Sequence, residues 1–176
     1  MPLYAMRHGR TNFNDLGLCN DDPGRDVHLT DTGTAQIEAA AERLRDVPLQ
    51  HIITSELPRT RQSAEIINRY HQVPISAHPD LNDIRSGFDG HPVADYFAAT
   101  GSDPLNTRPP GGESLLEHKQ RIGRFLDWLQ EQPETTLLLV VHEETLRALS
   151  ALLNKLDDQT MLRLHFDNGQ IVEFDW

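Results

Sequence analysis

The stretch TLLLVVHEETLRALSALL, residues 136–153, decides the fold, because a strand, a polar turn and a helix follow one another within it. Residues 137–141 are all apolar, and an apolar run of this length without alternation is typical of a strand covered on both faces. Behind the run, leucines recur at helical spacing from Leu146 to Leu156. A buried strand followed directly by an amphipathic helix predicts an α/β protein.

The same alternation of strand and helix continues through the rest of the chain. Short apolar runs and helical spacing predict two further strands and three further helices, at 3–6, 52–54, 33–46, 58–71 and 114–130. No internal repeat or low-complexity linker interrupts the series. All 176 residues are therefore expected to form one domain built on a layered, mostly parallel sheet.

The end of the chain predicts an antiparallel edge for this sheet. The apolar segments 161–166 and 170–176 flank Asn168 and Gly169. An Asn-Gly pair between two strand-like runs is a strong signal for the two-residue turn of a β-hairpin. The sheet is therefore expected to be mixed.

Residues 86–112 depart from the regular alternation. The segment is rich in glycine and proline and has a single short helical stretch, near residues 91–100. Long connections of this kind in compact domains usually serve function. We expect a small cap or substrate-lining excursion.

The charge of the chain restricts its partners. Sixteen basic side chains stand against 27 acidic ones, a net charge of −11, so a basic face for nucleic acid or an anionic membrane is not expected. The N-terminal residues lack a secretory pattern, and no apolar run approaches the ~20 residues that span a bilayer. The single cysteine, Cys19, excludes an internal disulfide. The protein is expected in the cytoplasm, and the sequence makes no prediction of its oligomeric state.

Polar groups of one chemical kind follow three of the predicted strands. The first strand leads into Arg7, His8 and Gly9, the second into Ser55 and then Arg59, and residues 137–141 lead into His142. Because ligands of open α/β sheets bind outside the carboxyl ends of the strands, these groups are expected to meet if the strands are parallel neighbours.

This set of side chains suits a phosphoryl group. Guanidinium forks match phosphate oxygens, and a neutral imidazole beside them can take a phosphoryl group onto nitrogen. Gly9 would let the backbone approach the anion and offer its N–H. Such a cationic pocket can neutralise charge without a metal ion.

Metal binding is the main competing interpretation of the histidines. The run HEETL begins like a zinc-protease motif, but Leu146 stands where the second histidine is required. There is no cysteine pair, and the other histidines lack ligand spacing. Neither a metal nor a cofactor is expected, and nucleotide-binding and serine-hydrolase motifs are missing.

Six ordered blocks covering roughly residues 3–150 resemble the histidine phosphatases, the phosphoglycerate mutase-like superfamily. They are RHGRTNFN from Arg7, LTDTGTAQ from Leu29, SELPRTRQSAEII from Ser55, LNDI from Leu81, PPGGES from Pro109 and VVHEETLRAL from Val140. The resemblance implies a three-layer α/β/α sandwich, which agrees with the strand and helix pattern.

The resemblance also implies roles for the strand-end residues. His8 would be the nucleophile that becomes phosphohistidine. The groups that hold the phosphoryl group would be Arg7, Arg59 and His142, with Thr11 and Asn14 adding polar contacts. Asp83 stands where the family usually has glutamate, the general acid for the leaving oxygen and then the base for water.

Two acidic residues depart from the family pattern. Glu143 and Glu144 replace the small pair that commonly follows the second histidine, and acidic groups beside a phosphate are unfavourable unless they point away or are protonated. The acid-phosphatase branch of the superfamily places its proton donor directly after that histidine, so Glu143 is an alternative to Asp83; Asp83 is preferred. Glu144 is expected to be solvated or to lie in the first turn of a helix, and Arg147 to be an ordinary helix residue.

The sequence thus favours a metal-independent phosphomonoesterase acting on a small phosphorylated metabolite. The substrate is expected to be chosen by residues of the excursion such as Phe88, Tyr96, Phe97 and Arg108. Three alternatives remain open: a phosphohistidine phosphatase acting on proteins, a mutase-type enzyme, and a degraded site that only binds a phosphorylated ligand or a partner. A zinc hydrolase is the most distant alternative.

Overall fold

The computed structural model describes residues 2–133 and 135–176. A five-stranded sheet with the order β3-β2-β4-β1-β5 forms its centre. The strands are β1 Pro2–Arg7, β2 His51–Thr54, β3 Ile75–Ala77, β4 Leu137–Val141 and β5 Ile171–Asp175. Strands β1 to β4 pair in parallel, and β5 pairs antiparallel to β1. The predicted mixed sheet with an antiparallel edge is therefore confirmed.

In the described part of the chain, seven α-helices and a short 3-10 helix surround the sheet. The α-helices are α1 Asn12–Leu16, α2 Asp31–Leu44, α3 Pro58–Ile67, α4 Val93–Thr100, α5 Leu115–Leu129, α6 Glu143–Leu153 and α7 Asp158–Arg163, and the 3-10 helix is Pro79–Leu81. The side chains of Thr30 and Ser114 accept hydrogen bonds from backbone N–H groups of α2 and α5, as N-caps do. Among the described residues, none of these helices is both long and apolar enough to cross a membrane.

The side chains of β4 point alternately to two separate cores. Leu137, Leu139 and Val141 lie in a cluster with residues of α5 and α6, while Leu138 and Val140 lie in a cluster with residues of α2 and α3. All five are buried because successive strand residues face opposite sides of a sheet that helices cover twice. The uninterrupted apolar run thus reflects the three-layer sandwich.

The hairpin predicted for the end of the chain is wrong. Residues 161–163 end helix α7, and β5 pairs with β1 rather than with residues 161–166. Met161 is fully buried in a cluster with Leu115 and Ala151. Asp157 caps α7, so helix formation buries this apolar segment better than a strand would. The turn at Asn168 and Gly169 does form, and it turns the chain into β5.

Several short elements carry no pattern that sequence periodicity could detect. Strand β3 has three residues, none of them buried, and α1 buries none of its five. Helix α3 ends at Ile67, four residues before the predicted limit of 71. These elements lie at the sheet edge or on the surface, where burial imposes little periodicity.

The register of the parallel strands brings their carboxyl ends to one edge. Arg7 pairs with Val141, and Thr54 pairs with Val140. The N–H of His8 donates to the carbonyl of Val141 at 3.0 Å. The residues that follow β1, β2 and β4 therefore meet at this edge.

Candidate active site

Two histidines and two arginines form the floor of a cavity at this edge. We call Arg7, His8, Arg59 and His142 the floor. The ring centroids of His8 and His142 are 5.2 Å apart, and Nε of Arg59 lies 3.2 Å from Nε2 of His8. His8, Arg59 and His142 are 3%, 5% and 1% exposed, so the residues expected from the three strand ends lie together and largely out of water.

The imidazole of His8 is held in one tautomer. Its Nδ1–H donates to the carbonyl of Gly9 at 2.7 Å, which leaves the lone pair on Nε2. Burial and then the charge of Arg59 lower the pKa of His8 well below its usual value. The ring is therefore neutral at neutral pH, and its lone pair on Nε2 accepts a hydrogen bond from the Nε–H of Arg59.

His142 has an unused nitrogen. Its Nε2 lies 2.9 Å from Oγ of Ser55, whereas Nδ1 is buried without a hydrogen-bond partner and lies 3.7 Å from Oδ2 of Asp83. Burial, Arg59 and His8 lower the pKa of His142. If the Ser55 hydroxyl donates to Nε2, Nδ1–H can donate to a bound anion.

The two guanidiniums are fixed by different partners. Arg59 donates from Nη1 and Nη2 to the side chain and carbonyl of Asn20, at 2.5 and 2.9 Å, and from Nη2 to Asp83 at 3.1 Å. Arg7 donates from Nη1 to the carbonyl of Phe166 at 2.5 Å, and the same atom lies 3.1 Å from Glu143. Nε of Arg7 is buried without a partner, so one donor is left for a ligand.

Gly9 has a packing role. Its N–H donates to Oγ of Ser63 at 3.1 Å, so the expectation that this N–H is offered to an anion is wrong. A Cβ atom at Gly9 would lie 2.6 Å from the carbonyl oxygen of Gly33. Glycine is required here because the end of β1 passes directly against the start of α2.

Thr11 and Asn14 cap α1 and also line the cavity. The Asn14 N–H donates to Oγ1 of Thr11 at 3.1 Å, and the Thr11 N–H donates to Oδ1 of Asn14 at 3.0 Å. These bonds use the acceptor oxygens of both side chains. The hydroxyl proton of Thr11 and Nδ2 of Asn14 can still donate to an anion.

The excursion supplies one side of the cavity, which has about 780 Å³ of empty space. Tyr96 and Phe97 of α4 line it, as expected for substrate-choosing residues. Phe88 lies behind them, with its ring centroid 6.3 Å from that of Tyr96. Arg108 is not among the lining residues and donates to the carbonyl of Gly112, so its expected place in the substrate pocket is wrong.

The three carboxylates of the cavity differ in their partners. Asp83 accepts from the Ile84 N–H through Oδ1, at 2.8 Å, and from Arg59 through Oδ2. Glu143 accepts from the Phe166 N–H at 3.2 Å and pairs with Arg7. Both of these carboxylates are therefore held next to the floor.

Glu144 lies in the first turn of α6, which is one of the two alternatives expected for it, and its side chain is 18% exposed. Oε1 accepts from Arg147 at 2.6 Å, while Oε2 is buried without a partner. Burial, opposed by Arg147 and reinforced by Asp83, raises the pKa of Glu144 to about 7. Arg147 lies in α6 as expected, but it also donates to the carbonyl of Leu164 and so has a further role beyond that of an ordinary helix residue.

A buried ion network outside the cavity holds the Asp83 turn. Arg121 donates to the carbonyls of Asp80, Asn82 and Asp83 at 2.7, 2.8 and 3.3 Å. Glu113, 2% exposed, pairs with Arg121. Neither this pair nor Asn20 was expected as part of the site; Glu113 belongs to the PPGGES block, which is the signal that could have identified it.

Among the described residues, no group of three or more histidine, cysteine, aspartate or glutamate side chains is arranged to hold a metal ion. Cys19 lines the cavity, and burial raises the pKa of its thiol to about 11. The thiol is therefore protonated at neutral pH.

Comparison with known proteins identifies the family. A profile of the histidine phosphatase superfamily (branch 1) matches residues 3–176. The chain belongs to this superfamily. The resemblance expected from the six sequence blocks is thereby confirmed, and so is the enzyme class, a histidine phosphatase that hydrolyses phosphoric monoesters.

Individual members of the superfamily match over nearly the whole chain. An adenosylcobalamin/alpha-ribazole phosphatase of Salmonella typhimurium is 28% identical, over 96% of this chain and 87% of its own length. A probable phosphoglycerate mutase of Erwinia tasmaniensis is 30% identical, over 99% of this chain and 85% of its own length. The crystal structure of the alpha-ribazole phosphatase from Shigella flexneri superposes with a TM-score of 0.90 at 28% identity, and the match covers 99% of this chain and 90% of that one.

Proposed function

We propose that this histidine phosphatase is a metal-independent phosphomonoesterase that transfers the phosphoryl group of a small metabolite to Nε2 of His8 and then to water. The observation that carries the proposal is the state of His8. The ring is neutral, its lone pair is on Nε2, and a buried guanidinium lies 3.2 Å from that atom. A nucleophile and an anion-binding group thus occupy the same small space.

In the first step, Nε2 of His8 attacks phosphorus and the bond from phosphorus to the leaving oxygen breaks. The charges of Arg7 and Arg59 neutralise the phosphoryl oxygens, while Nδ1–H of the neutral His142 and the side chains of Thr11 and Asn14 donate hydrogen bonds to them. These two guanidiniums and the neutral donors provide the stabilisation that phosphoryl transfer requires. In the second step, water attacks phosphorus, the bond to Nε2 breaks and inorganic phosphate leaves.

Asp83 is proposed as the group that gives a proton to the leaving oxygen and then takes one from water. It lines the cavity next to Arg59, and its turn is held by Arg121. Oδ2 of Asp83 lies 3.1 Å from Arg59 and 3.7 Å from Nδ1 of His142, next to the groups proposed to hold the phosphoryl group. Glu143 is less suited because its carboxylate pairs with Arg7, Arg147 and His165, which favours the charged form over the acid that must give a proton.

The leaving group is proposed to lie against α4, so that residues 86–112 are the substrate-lining excursion. Val93, Tyr96 and Phe97 give this side an apolar surface. Phe97 is 56% exposed and therefore available to a ligand. The similarity to alpha-ribazole phosphatases supports a small phosphorylated metabolite as the substrate.

The test is the hydrolysis of p-nitrophenyl phosphate in excess EDTA by the native protein and by His8→Ala. We expect activity that survives EDTA and is lost in the variant. An acid-quenched sample should contain an alkali-stable phosphoenzyme in the native protein alone. Loss of activity to EDTA would contradict the metal-independent mechanism, and failure to hydrolyse a broad panel of phosphomonoesters would favour a binding module.

A further inference from the structure

The charges that line the cavity are divided between its two sides. Among the described residues that line it, only Arg7 and Arg59 are cationic, and both belong to the floor. The carboxylates are those of Asp83, Glu143 and Glu144. A ligand phosphate therefore has two guanidiniums to bind, whereas a second anionic group on the same ligand has none.

Glu144 is the carboxylate that the floor does not engage. Asp83 accepts from Arg59, and Glu143 pairs with Arg7. In Glu144, only Oε1 accepts a hydrogen bond, and its donor is Arg147 of the same helix. Its other oxygen, Oε2, is buried without a partner. A buried acceptor without a donor costs free energy, which a donor on a bound ligand can offset.

The neighbours of Glu144 define where its charge acts. We call Val93, Tyr96, Phe97 and Glu144 the wall, since all four line the cavity. Tyr96 and Glu144 line the same cavity, and the charge of Glu144 is the second cause, after burial, that raises the pKa of Tyr96. A leaving group that packs on the aromatic rings would therefore meet this carboxylate.

We propose that Glu144 is a specificity-determining residue, which makes the wall accept alcohols that carry hydroxyl or amino donors and reject alcohols that carry a second anionic group. The inference rests on the proposed phosphomonoesterase function and specifies its substrate class. It separates this chain from enzymes that take phosphorylated carboxylic acids, because the described residues that line the cavity include no cation besides the two floor arginines.

Three substrates that differ in one group test the proposal. 3-Phosphoglycerate, glycerol 3-phosphate and 3-amino-2-hydroxypropyl phosphate share a phosphate and a three-carbon chain, and carry a carboxylate, a hydroxyl or an ammonium group at the far end. At pH 8 we expect kcat/KM of the native protein to be at least about tenfold lower for the carboxylate than for the other two. Equal values for the three substrates would overturn the proposal without any variant.

Glu144→Gln keeps the shape and an acceptor oxygen but removes the charge. We expect the ratio of hydroxyl to carboxylate substrate to fall to about a third or less. In the native protein kcat/KM should be higher for the ammonium substrate than for the hydroxyl substrate, because the ammonium group is attracted by the charged carboxylate, and this advantage should disappear in Glu144→Gln. Unchanged ratios in Glu144→Gln would overturn the proposal.

A matched control is Glu117→Gln, which removes a carboxylate from the first turn of α5, outside the cavity. It should leave all ratios unchanged. The control should also hydrolyse p-nitrophenyl phosphate, which carries neither a donor nor a second anion, within about twofold of native. Loss of this hydrolysis in Glu144→Gln alone would make Glu144 part of the chemistry and overturn the proposal, whereas its absence from the native protein would contradict the proposed function itself.

Discussion

The floor and the wall of the cavity are built in different ways. The floor residues lie at or just beyond the ends of parallel strands, where the sheet register sets their positions, and three of the four, His8, Arg59 and His142, are nearly fully buried. The wall comes from a short helix in the excursion and from the first turn of α6, and its Phe97 is 56% exposed. The difference indicates that the sheet determines which group is transferred, while the wall determines from which molecule it is taken.

The largest effect is expected at the centre of the floor. His8→Ala should lower kcat for p-nitrophenyl phosphate by about 10⁴-fold or more, because no other group can take the phosphoryl group. Steady-state kinetics measures the loss, and His28→Ala, which changes an exposed histidine outside the cavity, is the control. A His8→Ala enzyme that retains one tenth of the activity would show that the floor only binds the phosphate.

The second prediction concerns Asp83, the proposed proton donor. Asp83→Asn should lower kcat by about 10²- to 10³-fold for an alkyl phosphate, whose leaving oxygen needs a proton, and by much less for p-nitrophenyl phosphate. The comparison of the two substrates at several pH values measures the effect. The same substrate-dependent loss in Glu143→Gln, with Asp83→Asn unaffected, would assign the proton donor to Glu143.

The third prediction tests how the Asp83 turn is held. Arg121→Met removes three hydrogen bonds to backbone carbonyls and leaves Glu113 buried without its main cation. We expect a loss of about 3–5 kcal/mol of unfolding free energy, measured by urea denaturation. In the fraction that remains folded, kcat for an alkyl phosphate should fall about thirtyfold while p-nitrophenyl phosphate loses little, because misplacing Asp83 affects proton transfer.

Arg124→Met is the matched control on the same helix. Arg124 is 63% exposed, and its closest carboxylate lies 4.0 Å away, so its loss should change the unfolding free energy by less than about 0.5 kcal/mol. If Arg121→Met lowers turnover of both substrates equally, Arg121 stabilises the fold without positioning Asp83.

The contrast between floor and wall also explains what the sequence could predict. A strand buried on both faces produces an unbroken apolar run, and the polar residue after it must lie at the sheet edge, so Arg7, His8 and His142 could be assigned from pattern alone. Arg59 could be assigned to the same edge from the second predicted strand and the helix that follows it. Because the strands are parallel neighbours, these residues can then be predicted to lie together.

The wall could not be assigned in the same way. The orientation of Glu144 depends on Arg147 and on the position of α4, and neither follows from periodicity. The hairpin expected at the end of the chain failed for a related reason, since residues 161–163 are buried by helices that come from distant parts of the chain. Asn20, which holds Arg59, lies outside the named helices and strands and carries no pattern.

The fourth prediction concerns the ion pair at the edge of the floor. Glu143→Gln removes the carboxylate that lies 3.1 Å from Arg7, so the guanidinium becomes more available to phosphate. We expect the inhibition constant of inorganic phosphate to fall about three- to fivefold, with kcat for p-nitrophenyl phosphate nearly unchanged. Weaker phosphate inhibition in this variant would mean that Glu143 orients Arg7 rather than competing for it.

The smallest effect is expected from the titration of the wall. The pKa of Glu144 is raised to about 7, so its carboxyl is mostly neutral at pH 6 and mostly charged at pH 8. The charged and titratable groups that face it are Arg147 and Glu143 on α6, Asp83 on its turn and Tyr96 on α4. Because the carboxylate of 3-phosphoglycerate stays ionised across this range, the repulsion increases as Glu144 loses its proton.

The ratio of kcat/KM for glycerol 3-phosphate to that for 3-phosphoglycerate should therefore rise about threefold from pH 6 to pH 8 in the native enzyme. The ionisation of the phosphate group is shared by both substrates and largely cancels in the ratio. The same titration in Glu144→Gln should give a flat line, since the group that changes charge is absent. A rise of equal size in that variant would assign the pH dependence to Asp83 or Glu143, and would place the selectivity next to the floor instead of on the wall.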